Sequence, residues 1–170
     1  MSGKMLAAAA VIGAVLAVAF VAKSGGPVGP PKPKANLAFV VEDITGKKID
    51  LASFAGKPLV LNMWATWCGP CKIETPQLMG LADRYRARGL AVVGLNVDDT
   101  AEDVRAFAND LKVNYPMLIG VGQTALLEAV GYEGELPLSL LIKPDGTIDE
   151  IVVGLHKTPD WERMIEALFK

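Results

Sequence analysis

Cysteine and histidine are nearly missing from this chain. Two Cys and one His among 170 residues rule out a multi-bridge disulfide scaffold, and they fall short of the roughly four ligands of a structural zinc site. Excess charge is missing too, since 17 Lys and Arg face 19 Asp and Glu for a formal net charge of −2. No basic cluster carries interleaved aromatics, so a nucleic-acid partner is not expected. No internal repeat is apparent. Aromatics make up 6% of the chain but hydrophobic residues 51%, enough to build the core of one ordinary domain.

Both cysteines lie in one pentapeptide, Trp67-Cys68-Gly69-Pro70-Cys71, directly after the apolar run Leu59-Val60-Leu61-Asn62-Met63-Trp64. A strand leading into CxxC at the mouth of a helix is the arrangement that makes and breaks disulfides. Two intervening residues let the sulfurs bond to each other. The helix N-terminus aims unpaired N–H groups at the first sulfur and favours its thiolate. A free thiol titrates at roughly 8.5, and such surroundings bring it to about 7 or below. Cys68 is therefore expected to attack and Cys71, deeper in the helix, to resolve the mixed disulfide. A purely structural bridge is the weaker alternative, because one rarely closes so small a loop.

Other segments frame this motif. Met5 to Ala22 carries no charge, between Lys4 and Lys23. As a helix rising about 1.5 Å per residue it would span roughly 27 Å, close to a bilayer core. Residues 1–23 are thus expected to be a signal anchor or a signal peptide. Ala17-Val18-Ala19 offers a small-x-small cleavage site but lies inside the apolar run, whereas cleavage normally follows it, which favours the anchor. Lys23, Lys32 and Lys34 after the span count against export under the positive-inside rule. The Pro- and Gly-rich stretch from Ser24 to Lys34 reads as a spacer, giving a linker over 24–35 and a folded domain over 36–170.

Within the domain, Leu37–Glu42 and Lys48–Leu51 predict a hairpin around Thr45-Gly46, with Ser53 capping a single turn. Strands are expected over 59–64, 90–97, 117–119, 138–142 and 147–153, the last two as a hairpin through Pro144-Asp145-Gly146. Helices are expected from the cysteines to about Arg88, over 100–111 with Thr100 as cap, over 124–130 and over 159–169. Pro76 should kink the first of these. Strands alternating with helices predict an α/β architecture with a mixed sheet covered on both faces.

Leu59 through Pro76 and Leu136 through Ile148 resemble the thioredoxin superfamily, and within it the TlpA/ResA-like branch of membrane-tethered thiol-disulfide oxidoreductases. The resemblance covers roughly Asn36 to the C-terminus. It implies a thioredoxin-like fold with an N-terminal β-hairpin and a central insert. It also implies a redox-active Cys68–Cys71 disulfide, with Trp67, Gly69, Pro70, Leu136 and Pro137 around the substrate. By the same resemblance Pro137 is the cis proline facing the disulfide, and Leu136 offers its backbone to an extended substrate. Asn62 departs from ordinary thioredoxins, which carry a buried aspartate there. Glu74, three residues after Cys71 on one helix face, matches a glutamate implicated in proton handling; the plainer alternative is a solvated carboxylate favoured by the helix dipole. His156, in loop composition, is expected to be exposed and unspecialised.

The expected activity is reduction of exported protein disulfides, of the kind needed in cytochrome c or copper-centre assembly. The partners are protein dithiols and disulfides together with an upstream membrane electron donor, and no cofactor or metal is required. The resemblance favours an anchored protein whose catalytic domain faces the periplasm, expected to be a monomer; a soluble periplasmic form after signal cleavage is the alternative. A copper-delivery module on the same fold is the rival from another class, but it would use CxxxC and a third ligand. A peroxidase of the peroxiredoxin type would place Pro-x-x-x-Thr-x-x-Cys before its nucleophile, and no such arrangement precedes Cys68.

Overall fold

The computed structural model describes residues 31–170. The expected anchor at Met5 to Ala22 and most of the spacer lie outside them. Among the described residues no helix is long and apolar enough to cross a membrane.

Five strands form the central sheet: β3 (Leu59–Trp64), β4 (Ala91–Asn96), β5 (Met117–Ile119), β6 (Leu138–Ile142) and β7 (Ile148–Val153), in the order β5-β4-β3-β6-β7. β3, β4 and β5 run parallel, while β6 and β7 run antiparallel to their neighbours. Every residue of β3 is buried, which is why it reads as a continuous apolar run instead of an alternating one. Two core layers result. Val60 and Trp64 face the layer that holds α1 (Gly69–Tyr85), α2 (Ala101–Leu111) and α4 (Thr158–Ala167), while Leu59, Leu61 and Met63 face the layer closed by α3 (Thr124–Ala129) and the N-terminal hairpin. This is the mixed sheet with helices on both faces that the sequence predicts.

The hairpin, β1 (Val40–Glu42) with β2 (Lys48–Asp50), forms a separate two-stranded sheet. It covers the outer edge of β5 through Ile44 N–H donating to Met117 O at 3.1 Å. Asp50, not Ser53, caps the 3-10 turn that follows, accepting from Ala52 N–H, while the Ser53 hydroxyl donates back to Asp50 O. α1 runs without interruption through Pro76 and ends in a separate 3-10 turn over Arg86–Arg88, closed by Gly89 at φ 88°. α2 carries its expected cap, Thr100 accepting from Asp103 N–H.

Contacts with the domain extend to residues before 36, the expected start of the folded part. Ile148 N–H donates to Pro33 O and Ala35 N–H to Gly146 O, both at 2.9 Å. Lys34 Nζ pairs with Asp145, and Lys32 Nζ with Asp149. The end of the stretch read as spacer is held because the β6–β7 turn and the start of β7 offer it free carbonyls and two carboxylates.

Candidate active site

The end of β3 delivers the chain to the site. Val97 N–H bonds to Trp64 O, and Cys68 N–H to Ala65 O at 3.2 Å, so Ala65–Cys68 is a tight turn from strand to helix. Cys68 is the N-cap of α1, its sulfur accepting from Cys71 N–H at 3.2 Å. Gly69 and Pro70 occupy the exposed first turn. Proline is tolerated there because the N–H it lacks would have no helical partner. Cys68 and Cys71 are joined as a disulfide. Exposure separates them little, 4% against 1%, so the N-cap position of Cys68, not its accessibility, distinguishes the two sulfurs.

Register brings the second motif to the same place. Met63 pairs with Leu138 and Asn62 with Ser139, so Pro137 comes in beside the end of β3 where the cysteine turn begins. The Leu136–Pro137 peptide bond is cis. Pro137 is buried, and Leu136 is half-buried against both core layers. Trp67 is 60% exposed, with its indole N–H donating to Asp98 Oδ2 at 2.8 Å. His156 stands apart, half-covered in its loop, with its ring 6.5 Å from that of Trp161.

Glu74 is not a solvated carboxylate. It is 1% exposed, beneath the first turns of α1 and over the centre of the sheet. Its Oε2 accepts from Asn62 Nδ2 at 2.8 Å, and Asn62 Nδ2 also donates to Ser139 Oγ at 2.9 Å. Among the described residues Oε1 has no hydrogen-bond partner. Burial raises the carboxyl from the usual 4.5 to about 7, and the Asn62 hydrogen bond offsets only part of that rise. The residue that departs from the thioredoxin pattern, Asn62, is thus the donor that holds Glu74. Tyr115, buried near Thr75 and Glu74, has its hydroxyl pushed above its ordinary value by the same desolvation.

Two groups escape a reading of the sequence alone. Ser139 completes the Glu74 network, and its signal is the lone hydroxyl in the buried strand Leu138–Ile142. Asp98 and Asp99 grip the turn before Cys68 and carry no local signal, because their partners Trp67 and Thr66 lie 31 and 33 residues away along the chain. Among the described residues no group of three or more His, Cys, Asp or Glu is placed to hold a metal.

Known proteins of similar sequence and of similar fold point the same way. Residues 31–151 match the AhpC/TSA family. The thiol-disulfide oxidoreductase ResA of Bacillus anthracis is 39% identical over 116 residues, which cover 68% of this chain and 66% of that protein. A ResA of Bacillus cereus is 34% identical over 130 residues, covering 76% and 74%. The chain thus spans about two thirds of the length of the first of these relatives. A thioredoxin-family thiol:disulfide interchange protein from Chlorobium tepidum superposes with a TM-score of 0.75 at 25% identity, covering 84% of this chain and all of that one. The chain belongs to the AhpC/TSA family of the thioredoxin superfamily, alongside the ResA thiol-disulfide oxidoreductases.

Proposed function

We propose that this family member is a thiol-disulfide oxidoreductase that reduces disulfides of exported proteins, in the manner of cytochrome c or copper-centre assembly, while tethered to the bacterial cytoplasmic membrane by Met5–Ala22 with its catalytic domain in the periplasm. The observation that carries the reading is a CxxC pair seated on a helix N-terminus with a buried acid, Glu74, one turn along from Cys71. Names of relatives support the reaction type, and the uncharged N-terminal run supports the tether.

The geometry supports the following cycle. In the reduced enzyme the Cys68 thiolate attacks one sulfur of a substrate disulfide, forming a Cys68–substrate bond and expelling the substrate's second sulfur as a thiolate that takes a proton from water. Cys71 then loses its proton to Glu74 and attacks the Cys68 sulfur, releasing the first substrate sulfur. Two electrons pass to the substrate, and the Cys68–Cys71 disulfide remains. A dithiol donor, by this reading membrane-borne, restores the pair. Glu74 suits the second step because a carboxyl titrating near 7 exchanges protons with a thiol far more evenly than one at 4.5.

Dithiothreitol-driven insulin reduction by the purified chain, with Cys68→Ser as control, tests the reaction, and titration against glutathione fixes its direction. A midpoint potential near the roughly −270 mV of thioredoxin is expected; one near the roughly −120 mV of a strong oxidant would reverse the direction. Protection of the domain from protease in intact spheroplasts would overturn the periplasmic placement. A mature N-terminus near Phe20 would overturn the tether.

A further inference from the structure

The turn that carries the nucleophile is held from outside by the loop after β4. Its two central residues are Thr66 and Trp67, and consecutive acids take one each. Asp99 Oδ2 accepts from Thr66 N–H and Asp99 Oδ1 from the Thr66 hydroxyl, both at 2.6 Å. Asp98 takes the Trp67 indole at 2.8 Å. The gripping loop is itself braced by the fully buried Asn96, whose Oδ1 accepts from Asp98 N–H and Asp99 N–H, and whose Nδ2 donates to Asp99 Oδ2 at 2.7 Å. Partial burial pushes the Asp99 carboxyl up, but the hydrogen bonds from Thr66 and Asn96 outweigh it and hold the group below the usual carboxylate range.

We propose that Asp99 is a positioning residue of the dithiol: by accepting both donors of Thr66 it locks the turn Ala65–Cys68, and through it the seat of the Cys68 sulfur on the first turn of α1. The proposal rests on the oxidoreductase reading. In the oxidised protein the covalent bond to Cys71 fixes that seat. Once the disulfide opens, nothing covalent holds the sulfur against Cys71 N–H, and the turn must do so. The clamp therefore matters most in the reduced, attacking state.

Two effects of Asp99 oppose each other, and their sizes decide. Thr66 Cα lies within about 7.6 Å of Cys68 Cα along the chain, so the carboxylate charge sits on the order of 10 Å from the thiolate. Through partly solvated surroundings it changes thiolate population only about twofold. Seating on a helix N-terminus lowers a thiol from roughly 8.5 to about 7, a change of roughly thirtyfold in the thiolate formed. Position should outweigh charge.

The test uses the full chain in its reduced form and reads the rate and pH profile of Cys68 alkylation by iodoacetamide, with folding checked by circular dichroism. Thr66→Val, which keeps the Asp99 charge, should slow Cys68 labelling at pH 7 about tenfold and move its profile to higher pH, and Thr66→Ser should restore both. Asp99→Ala should slow labelling as well. Faster labelling in Asp99→Ala would show that Asp99 acts through its charge and would overturn the proposal. So would folded variants of lowered melting temperature with an unchanged profile, which would mark the clamp as merely structural. Failure of the wild-type chain to reduce insulin would instead strike the oxidoreductase reading, because alkylation needs no protein substrate.

Discussion

Glu74→Gln should make the protein more stable at alkaline pH and leave it nearly unchanged in mild acid. The folded protein holds the Glu74 proton up to about pH 7, whereas the unfolded chain releases it near 4.5. Between those values the native state binds more protons, so stability falls as pH rises through the window and levels off above it. At about 1.4 kcal/mol per pH unit the interval amounts to about 3 kcal/mol. Gln is nearly isosteric with the neutral acid. Its carbonyl oxygen can accept from Asn62 Nδ2 as Glu74 Oε2 does, and its amide donor replaces the acid's O–H at the unpartnered position. The substitution thus removes the titration with little change in packing.

Urea unfolding of the oxidised protein at pH 4.5 and pH 8.5 measures the effect. The two proteins should agree within about 1 kcal/mol at the lower pH and differ by about 3 kcal/mol at the higher, with the variant ahead. For a domain of this size that corresponds to roughly 10 °C in melting temperature. A difference that is the same at both pH values would refute the reasoning, since it would mean that Glu74 carries no raised titration. If Glu74 accepts the Cys71 proton as proposed, the variant should also lose the limb near pH 7 in the reactivity of the reduced pair.

Cys71→Ser should accumulate a mixed disulfide with insulin on non-reducing gels while Cys68→Ser accumulates none; preferential labelling of Cys71 in the reduced wild type would reverse the order. Asn62→Asp puts a second carboxyl against Glu74 Oε2 in a buried site, and it should cost about 3 kcal/mol or more at pH 8 with recovery in acid, read by the same urea titrations. Gly94→Ala builds a Cβ 2.5 Å from Met117 Sδ and 3.1 Å from Trp64 Nε1, and it should cost about 1–3 kcal/mol with a change in tryptophan fluorescence.

The parts of the molecule written in local pattern were legible from the chain alone. The apolar run 59–64, the CxxC at a Gly-Pro helix start and the Thr100 cap each state their own structure, and β3, α1 and α2 begin where those signals place them. What stayed hidden depends on pairing across long stretches. Nothing near Asn62 says that Ser139 will stand beside it, 77 residues away. Lys32 and Lys34 read as linker charges because Asp149 and Asp145 lie more than a hundred residues further on. The spacing of Glu74 gives its face of the helix but not its depth, because depth depends on what the sheet beneath leaves open.

That depth has a cause in the sheet. Met117, Gly94, Asn62, Ser139 and Val152 form one row across β5, β4, β3, β6 and β7. An ordinary row in a buried sheet would present five bulky apolar side chains and push α1 outward. Here the three central places hold no side chain, an amide and a hydroxyl. Met117, Trp64 and Tyr115 close over Gly94, while Glu74 descends from α1 onto Asn62, which among the described residues supplies its one side-chain hydrogen bond and makes a buried carboxyl tolerable. A single donor is too little to favour the charged form and enough to fix the oxygen that accepts it. The carboxyl therefore titrates close to neutrality while sitting on the same helix face as Cys71. Asn62 and the acid above it work as one device: remove the Asn62 donor, and Glu74 is driven further toward its neutral form, even though Asn62 lies on a strand and not on the helix that carries the sulfurs.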